Sequence, residues 1–184
     1  MIDNINKVNW ENPDPVISYF EENQIQVLNH IWGISSQDFE NLKFCVHYIN
    51  ALYQKAHYSK CMEFIEKTES AVSRIDNHDL DDLKRQILFV KGMILNRTKK
   101  YKEAEALFIK LEKEDPDHHY YSQWRINSKS KRYSWLITAC YILVAIFYLA
   151  DVVFDPAGFS LILTAFILFI LAFSLPYILK KYLK

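Results

Sequence analysis

Few side chains in this sequence have types and spacing that suggest chemistry. His57 and Cys61 stand four apart, one turn of a helix, with Cys45 and His47 a short way upstream. A thiolate and imidazole set of that kind is what zinc selects. Adjacent His118 and His119 fall on different faces of any helix, so they do not make a joint ligand. The carboxylate pairs Asp81–Asp82 and Glu103–Glu105 read as helix-start charges on a solvated face. No serine sits in a nucleophile elbow, and with only three glycines no loop can cradle phosphate. The three cysteines form an odd set at no recognisable metal or disulfide spacing, and the opening residues carry no secretory signal. Buried free cysteine behaves as a small apolar residue. The expectation is therefore no enzyme, no metal and no cofactor, with the first part of the chain cytosolic and reduced.

The elements that position these residues follow from the charge pattern. Formal net charge is zero, but it is segregated: residues 1–124 hold 15 Lys/Arg against 20 Asp/Glu, while "RINSKSKR" at 125–132 holds four positives. A mildly acidic front part argues against nucleic acid as the main partner, since phosphate binding needs a concentrated basic face. Beyond Arg132 the character changes. Tyr133–Ala150 and Pro156–Leu179 contain no formal charge. About 20 helical residues at ~1.5 Å each cross a hydrocarbon core ~30 Å thick. The expected layout is one span over about 133–154, a loop near 151–158 broken by Pro156 and Gly158, and a second span over about 157–179.

Orientation follows from the cations. Arg125, Lys129, Lys131 and Arg132 precede the hairpin, Lys180 and Lys181 follow it in the tail 180–184, and none lies in its loop. The positive-inside rule then puts both termini in the cytosol. Trp135, with Tyr133, Tyr177 and Tyr182, lies where an aromatic belt belongs. Six of these residues (Arg125, Lys129, Lys131, Arg132, Lys180 and Lys181) together with Trp135 are the expected membrane-interface set. The setting expected is an integral membrane protein, of a bacterial inner membrane rather than a eukaryotic organelle. Only Thr138, Ser160, Thr164 and Ser174 offer polar atoms inside the hairpin, so anchoring is favoured over conduction.

The front part reads as helix throughout. Asp14 and Pro15 suit a first helical turn, and Ser35 with Asp38 resembles a capping box. Helices are expected to about Tyr53, over Ser59–Ile75, over Asp79–Asn96 and over Lys102–Lys113. A further helix starts at "DHHYYSQWRI" and, with no Pro or Gly between Asp117 and Asp155, runs toward the apolar segment.

The stretch "ILFVKGMILNRTKKYKEAEALFIKLEKEDPD" resembles the tetratricopeptide repeat (TPR), a helix–turn–helix unit. Gly92, Tyr101, Ala104, Phe108 and Pro116 match its small residue, turn aromatic, alanine, second-helix aromatic and terminal proline, the match covering residues 85–118. A weaker copy covers 42–75, with Tyr58 as the turn aromatic and Cys61 and Ile65 for the alanine and aromatic. Tyr58 and Tyr101 are 43 apart, leaving an insertion at "RIDNHDLDD". The resemblance implies an all-α fold, a TPR-like antiparallel helix-pair stack over 1–124 followed by the transmembrane hairpin. It also implies a groove that binds a partner peptide or helix, lined by Val46, Asn50, Tyr53, Phe89, Met93, Asn96 and Arg97. Of these, only Asn50 fits the clamp of the chaperone-binding subset.

The function expected is a membrane-tethered TPR-like adaptor or scaffold that holds a protein partner at the cytosolic face, its hairpin in the bilayer and open to association between copies. Two alternatives stand beside it: a membrane-disrupting or signalling effector whose hairpins assemble on a trigger, and an assembly factor or subunit of a membrane complex.

Overall fold

The computed structural model describes residues 8–23, 38–72, 80–154, 166 and 169–170. The side chains of 38–41, 71, 137, 140, 147, 148 and 150–154 lie outside that description. Among the described residues there are six α-helices and no strand: α1 Pro13–Glu22, α2 Asp38–Gln54, α3 Tyr58–Val72, α4 Asp81–Arg97, α5 Tyr101–Glu114 and α6 His119–Phe154. The capping box at Ser35, the loop near 151–158, the tail 180–184 and nearly all of the second expected span over 157–179 lie outside the described residues.

The start of α1 corrects one expectation. Asn12, not Asp14, is the cap: its Oδ1 accepts the Asp14 N–H at 3.1 Å. Pro13 lacks an N–H to satisfy and has φ preset for a helix, so the helix begins there and the cap moves back one residue. Asp14 is left to pair with Lys55 of the α2–α3 turn at 2.7 Å, tying the two elements together.

The chain reverses twice by the same device. After α2, the N–H groups of Lys55, Ala56, His57 and Cys61 donate to the carbonyls of Ala51, Tyr53, Leu52 and His57. After α4, those of Thr98, Lys99, Lys100 and Ala104 donate to Ile94, Asn96, Leu95 and Lys100. Every partner in the second set is displaced by 43 residues from the first, the interval that separates Tyr58 from Tyr101. The middle residue of each turn has positive φ, 58° at Ala56 and 66° at Lys99. A left-handed residue closing a Schellman-type cap satisfies the last carbonyls of a helix. Each three-residue turn then folds the following helix back antiparallel. The internal repeat is therefore written in backbone bonds as well as in side chains.

Packing proceeds in chain order, each helix from α2 to α5 meeting the next, with α2 also touching α4 and α4 touching α6. One core fills the space among α1 to α4, with Phe20 stacked on Tyr48 at 3.7 Å and edge-on to Phe64 at 5.1 Å. A second lies among α4, α5 and α6 and contains Leu95, Ala104, Phe108, Leu111 and Tyr121; Met62 and Met93 touch both. Gly92 decides how closely α4 and α5 approach. A Cβ built there would lie 2.7 Å from the Phe108 ring, inside contact distance. Ala104 and Phe108 are fully buried, Tyr101 is half-buried and Pro116 is exposed beyond the end of α5.

The last helix, α6, has 36 residues. At ~1.5 Å per residue it is about 54 Å long, about twice the length of the 17-residue α4 it packs on. Its first turns, through Tyr121, Trp124 and Ser128, pack on α4 and α5 as the next helix of the series. The remainder continues past them.

Candidate functional site

The residues that suggested metal chemistry are not gathered. Cys45 is buried against Thr68, and the Cys61 thiol donates to the Ile49 carbonyl at 3.3 Å. Burial pushes both thiols up to about 12, so neither carries the thiolate that a metal or a nucleophilic step requires. His57 is exposed, whereas His47 leans on the Trp10 ring at 5.0 Å. Burial and then Lys43 lower the His47 pKa. Among the described residues no three His, Cys, Asp or Glu side chains converge on one point. His118 stacks on Tyr121 at 4.1 Å while His119 is exposed. Asp81 and Asp82 lie in the first turn of α4, where they pair with Lys84 and Arg85.

The expected groove is divided by the structure. Phe89 lies 5.4 Å from the Tyr121 ring and 6.4 Å from that of Trp124, so the first turns of α6 cover it. Asn96 is only 1% exposed: its Nδ2 donates to Ser128 Oγ at 2.7 Å and its Oδ1 accepts from Lys131 Nζ at 3.0 Å. Val46 is 4% exposed and belongs to the first core. These three pack within the protein, and Met93 is half-buried between the two cores. Asn50 and Tyr53 are half-buried and Arg97 is exposed, its guanidinium bonded to the Tyr53 hydroxyl. The accessible part of the groove is therefore this small polar rim where α2 and α4 end. The chain's own next helix covers Phe89 and Asn96, because a repeat stack leaves its last apolar face open unless another helix closes it, while Val46 is taken up by the first core.

The basic run also differs from expectation. Arg125 Nε lies 2.8 Å from Glu112 Oε2, an ion pair whose N–H is not aligned for a hydrogen bond. Arg132 donates to Glu105 at 2.8 Å and to the Tyr133 hydroxyl. Lys131 is engaged by Asn96. Three of the four cations in this run thus fasten α6 to the stack. Arg125 stands ten residues, or about 15 Å, before Trp135, too far back to share its level. Lys129 is half-buried, and Lys180 and Lys181 lie outside the described residues. The acidic partners Glu105 and Glu112 were legible in principle: they stand seven apart, as do Arg125 and Arg132, so two antiparallel helices bring both pairs into register together.

Exposure changes sharply along α6. Up to Ser128, Tyr121 is buried and Trp124 and Ile126 are half-buried, while Tyr120 in the first turn is open at 62%. Beyond Arg132 the described apolar side chains are largely open: Trp135 is 63% exposed, Ile142 55% and Leu149 61%, with Tyr141, Leu143 and Ile146 also exposed. Phe166, Phe169 and Ile170 are exposed as well. On α6, at about 100° per residue, Trp135, Ile142, Ile146 and Leu149 share one stripe and Tyr141 and Leu143 lie to either side of it, an arc of more than half the circumference that a single neighbouring helix does not cover. Among the described residues, no helix is long and apolar enough to cross a membrane; five residues of the uncharged stretch 133–150 (Ile137, Cys140, Phe147, Tyr148 and Ala150) are outside that description.

No known protein family, curated protein or solved structure matches the chain. What is established is the class: the described residues form an all-helical fold.

Proposed function

We propose that this chain is a membrane-tethered, TPR-like adaptor that holds a protein partner at the cytosolic face of a membrane. The observation that carries the reading is the change of exposure along α6. A water-exposed helix does not keep a broad face of Tyr141, Ile142, Leu143, Ile146 and Leu149 open without a medium to receive it. Hydrocarbon is such a medium, and a charge-free stretch following a basic run is how a chain enters it. The second expected span, 157–179, completes a hairpin in this reading and returns the tail to the same side.

The repeat supports the other half. Two helix–turn–helix units closed by matching turns make a platform, a form suited to holding a partner. The rim formed by Asn50, Tyr53 and Arg97 is where a partner peptide or helix reaches the stack. Tethering raises the local concentration of such a partner, so modest affinity suffices.

Membrane fractionation of cells expressing the full chain tests the reading. The expected result is a chain that stays with the membrane pellet in alkaline carbonate and dissolves only in detergent. Protease added to sealed vesicles should remove residues 1–124 only from the cytosolic side. A chain recovered in the carbonate supernatant, or an amino-terminal part digested from the opposite side, overturns it. For the adaptor half, crosslinking in the detergent-solubilised chain is repeated with Asn50→Ala and Tyr53→Ala; an unchanged set of crosslinked proteins removes the rim assignment.

A further inference from the structure

The turn between α4 and α5 carries charge that the fold does not consume. Lys99, Lys100 and Lys102 are exposed, and among the described residues none forms an ion pair. Only one acid, Glu103, stands among them. The neighbouring cations of α6 are spent on Glu112, Asn96 and Glu105.

Position makes this turn significant. The pairs Glu112–Arg125 and Glu105–Arg132 share one antiparallel register, each seven-residue step back along α5 matched by a seven-residue step forward along α6. Continued by three residues, that register sets Lys102 level with Trp135. The second link agrees: Asn96, three residues before Lys99, is bonded to Ser128 and Lys131. The three lysines therefore stand at the height on α6 where exposed apolar side chains begin and where Trp135 projects. The ion pairs and the buried Asn96 network hold α6 against the stack, so the turn cannot swing away from that height.

We infer that Lys99, Lys100 and Lys102 contact the anionic headgroups of the bilayer that α6 enters, making a second foot beside the anchor. This rests on the membrane reading above. A lone helix leaving a bilayer lets its cytosolic domain rotate and tilt; a basic turn at headgroup level, set to one side of the helix, fixes which face of the stack meets the lipid. The polar rim at Asn50, Tyr53 and Arg97 lies next to this foot, so a partner bound there is held close to the membrane surface.

The test uses the full chain in nanodiscs of phosphatidylcholine alone or with phosphatidylglycerol, read by amide hydrogen exchange over residues 97–104. Exchange there should slow by about fivefold or more in the anionic discs, the factor one well-placed lysine supplies. The slowing should vanish in about 0.5 M salt, where charges are screened within a few ångströms. The Lys99→Gln, Lys100→Gln, Lys102→Gln triple variant should exchange alike in both lipids while α2 peptides keep wild-type protection. Equal exchange of the wild type in the two lipids, from a chain that has entered the discs, overturns this inference alone. A chain that does not enter either disc overturns the membrane reading and this inference with it.

Discussion

Phe108 and Ile146 are both large apolar side chains near the middle of well-formed helices, yet the first is fully buried and the second is more than half exposed. The difference lies in what surrounds them. Phe108 sits over the hole left by Gly92 and beside Phe89 and Trp124, so three helices exclude water from it. Ile146 lies on the part of α6 that no other described helix reaches. Helix formation is common to both regions; the cover is not. The stack carries its own cover in its repeat, whereas the far half of α6 depends on a medium or partner outside the described residues.

The largest effect expected within the stack comes from removing its cover. Phe108→Ala should lower stability by about 3–5 kcal/mol, since an aromatic ring leaves a cavity that Gly92 opposite it cannot fill. Thermal melting followed by circular dichroism in detergent checks this. The corresponding change on the far half of α6 is Ile142→Lys. If that face meets hydrocarbon, the substitution should disfavour insertion by about 2.5–3.5 kcal/mol and shift the chain toward the carbonate supernatant. If the face meets water, the effect should stay within about 0.5 kcal/mol and the comparison between the two regions loses its basis.

The joint between the regions is tested by Asn96→Ala. It removes the donor to Ser128 Oγ, which keeps its own bond to the Trp124 carbonyl, and takes the Asn96 acceptor from the Lys131 ammonium, and should cost about 1–3 kcal/mol. Hydrogen exchange should rise in α6 around Ser128 while α1 to α3 keep their protection; loosening confined to α2 and α3 would contradict the joint. The smallest effect concerns His47. Its folded pKa is lowered, so the unfolded chain takes up the proton more readily. Stability should be full above the ordinary histidine value of about 6.5 and fall as pH drops from there toward the lowered value. His47→Gln should flatten that part of a stability–pH profile, and a profile unchanged by the substitution would place the dependence on another group.

Much of this was legible one residue at a time. The Gly92–Phe108 contact, the terminal Pro116 and the 43-residue interval are local patterns, because close helix packing and a turn impose size and spacing on nearby residues. The change from covered to exposed along α6 was likewise visible as a basic run followed by a charge-free stretch. The groove was read less well. Phe89 and Asn96 lie on the face of α4 that α6 covers and Val46 is part of the first core, and periodicity within one helix cannot say which of its faces another helix will close over. The partners of the basic run were hidden for the same reason: Arg125, Lys131 and Arg132 look unpaired until Glu112, Asn96 and Glu105, 13 to 35 residues earlier, are brought beside them.

Composition and spacing alone thus determine that this chain is helical, that two of its helix pairs repeat, and that its last third is too apolar to be an ordinary surface. Which charges are spent inside the fold, which part of the groove stays open, and at what height the lysine turn meets α6 were decided by tertiary contact. Those are properties of pairs of residues far apart in the chain, and a charge or an apolar side chain has no fate until its neighbour in space is set.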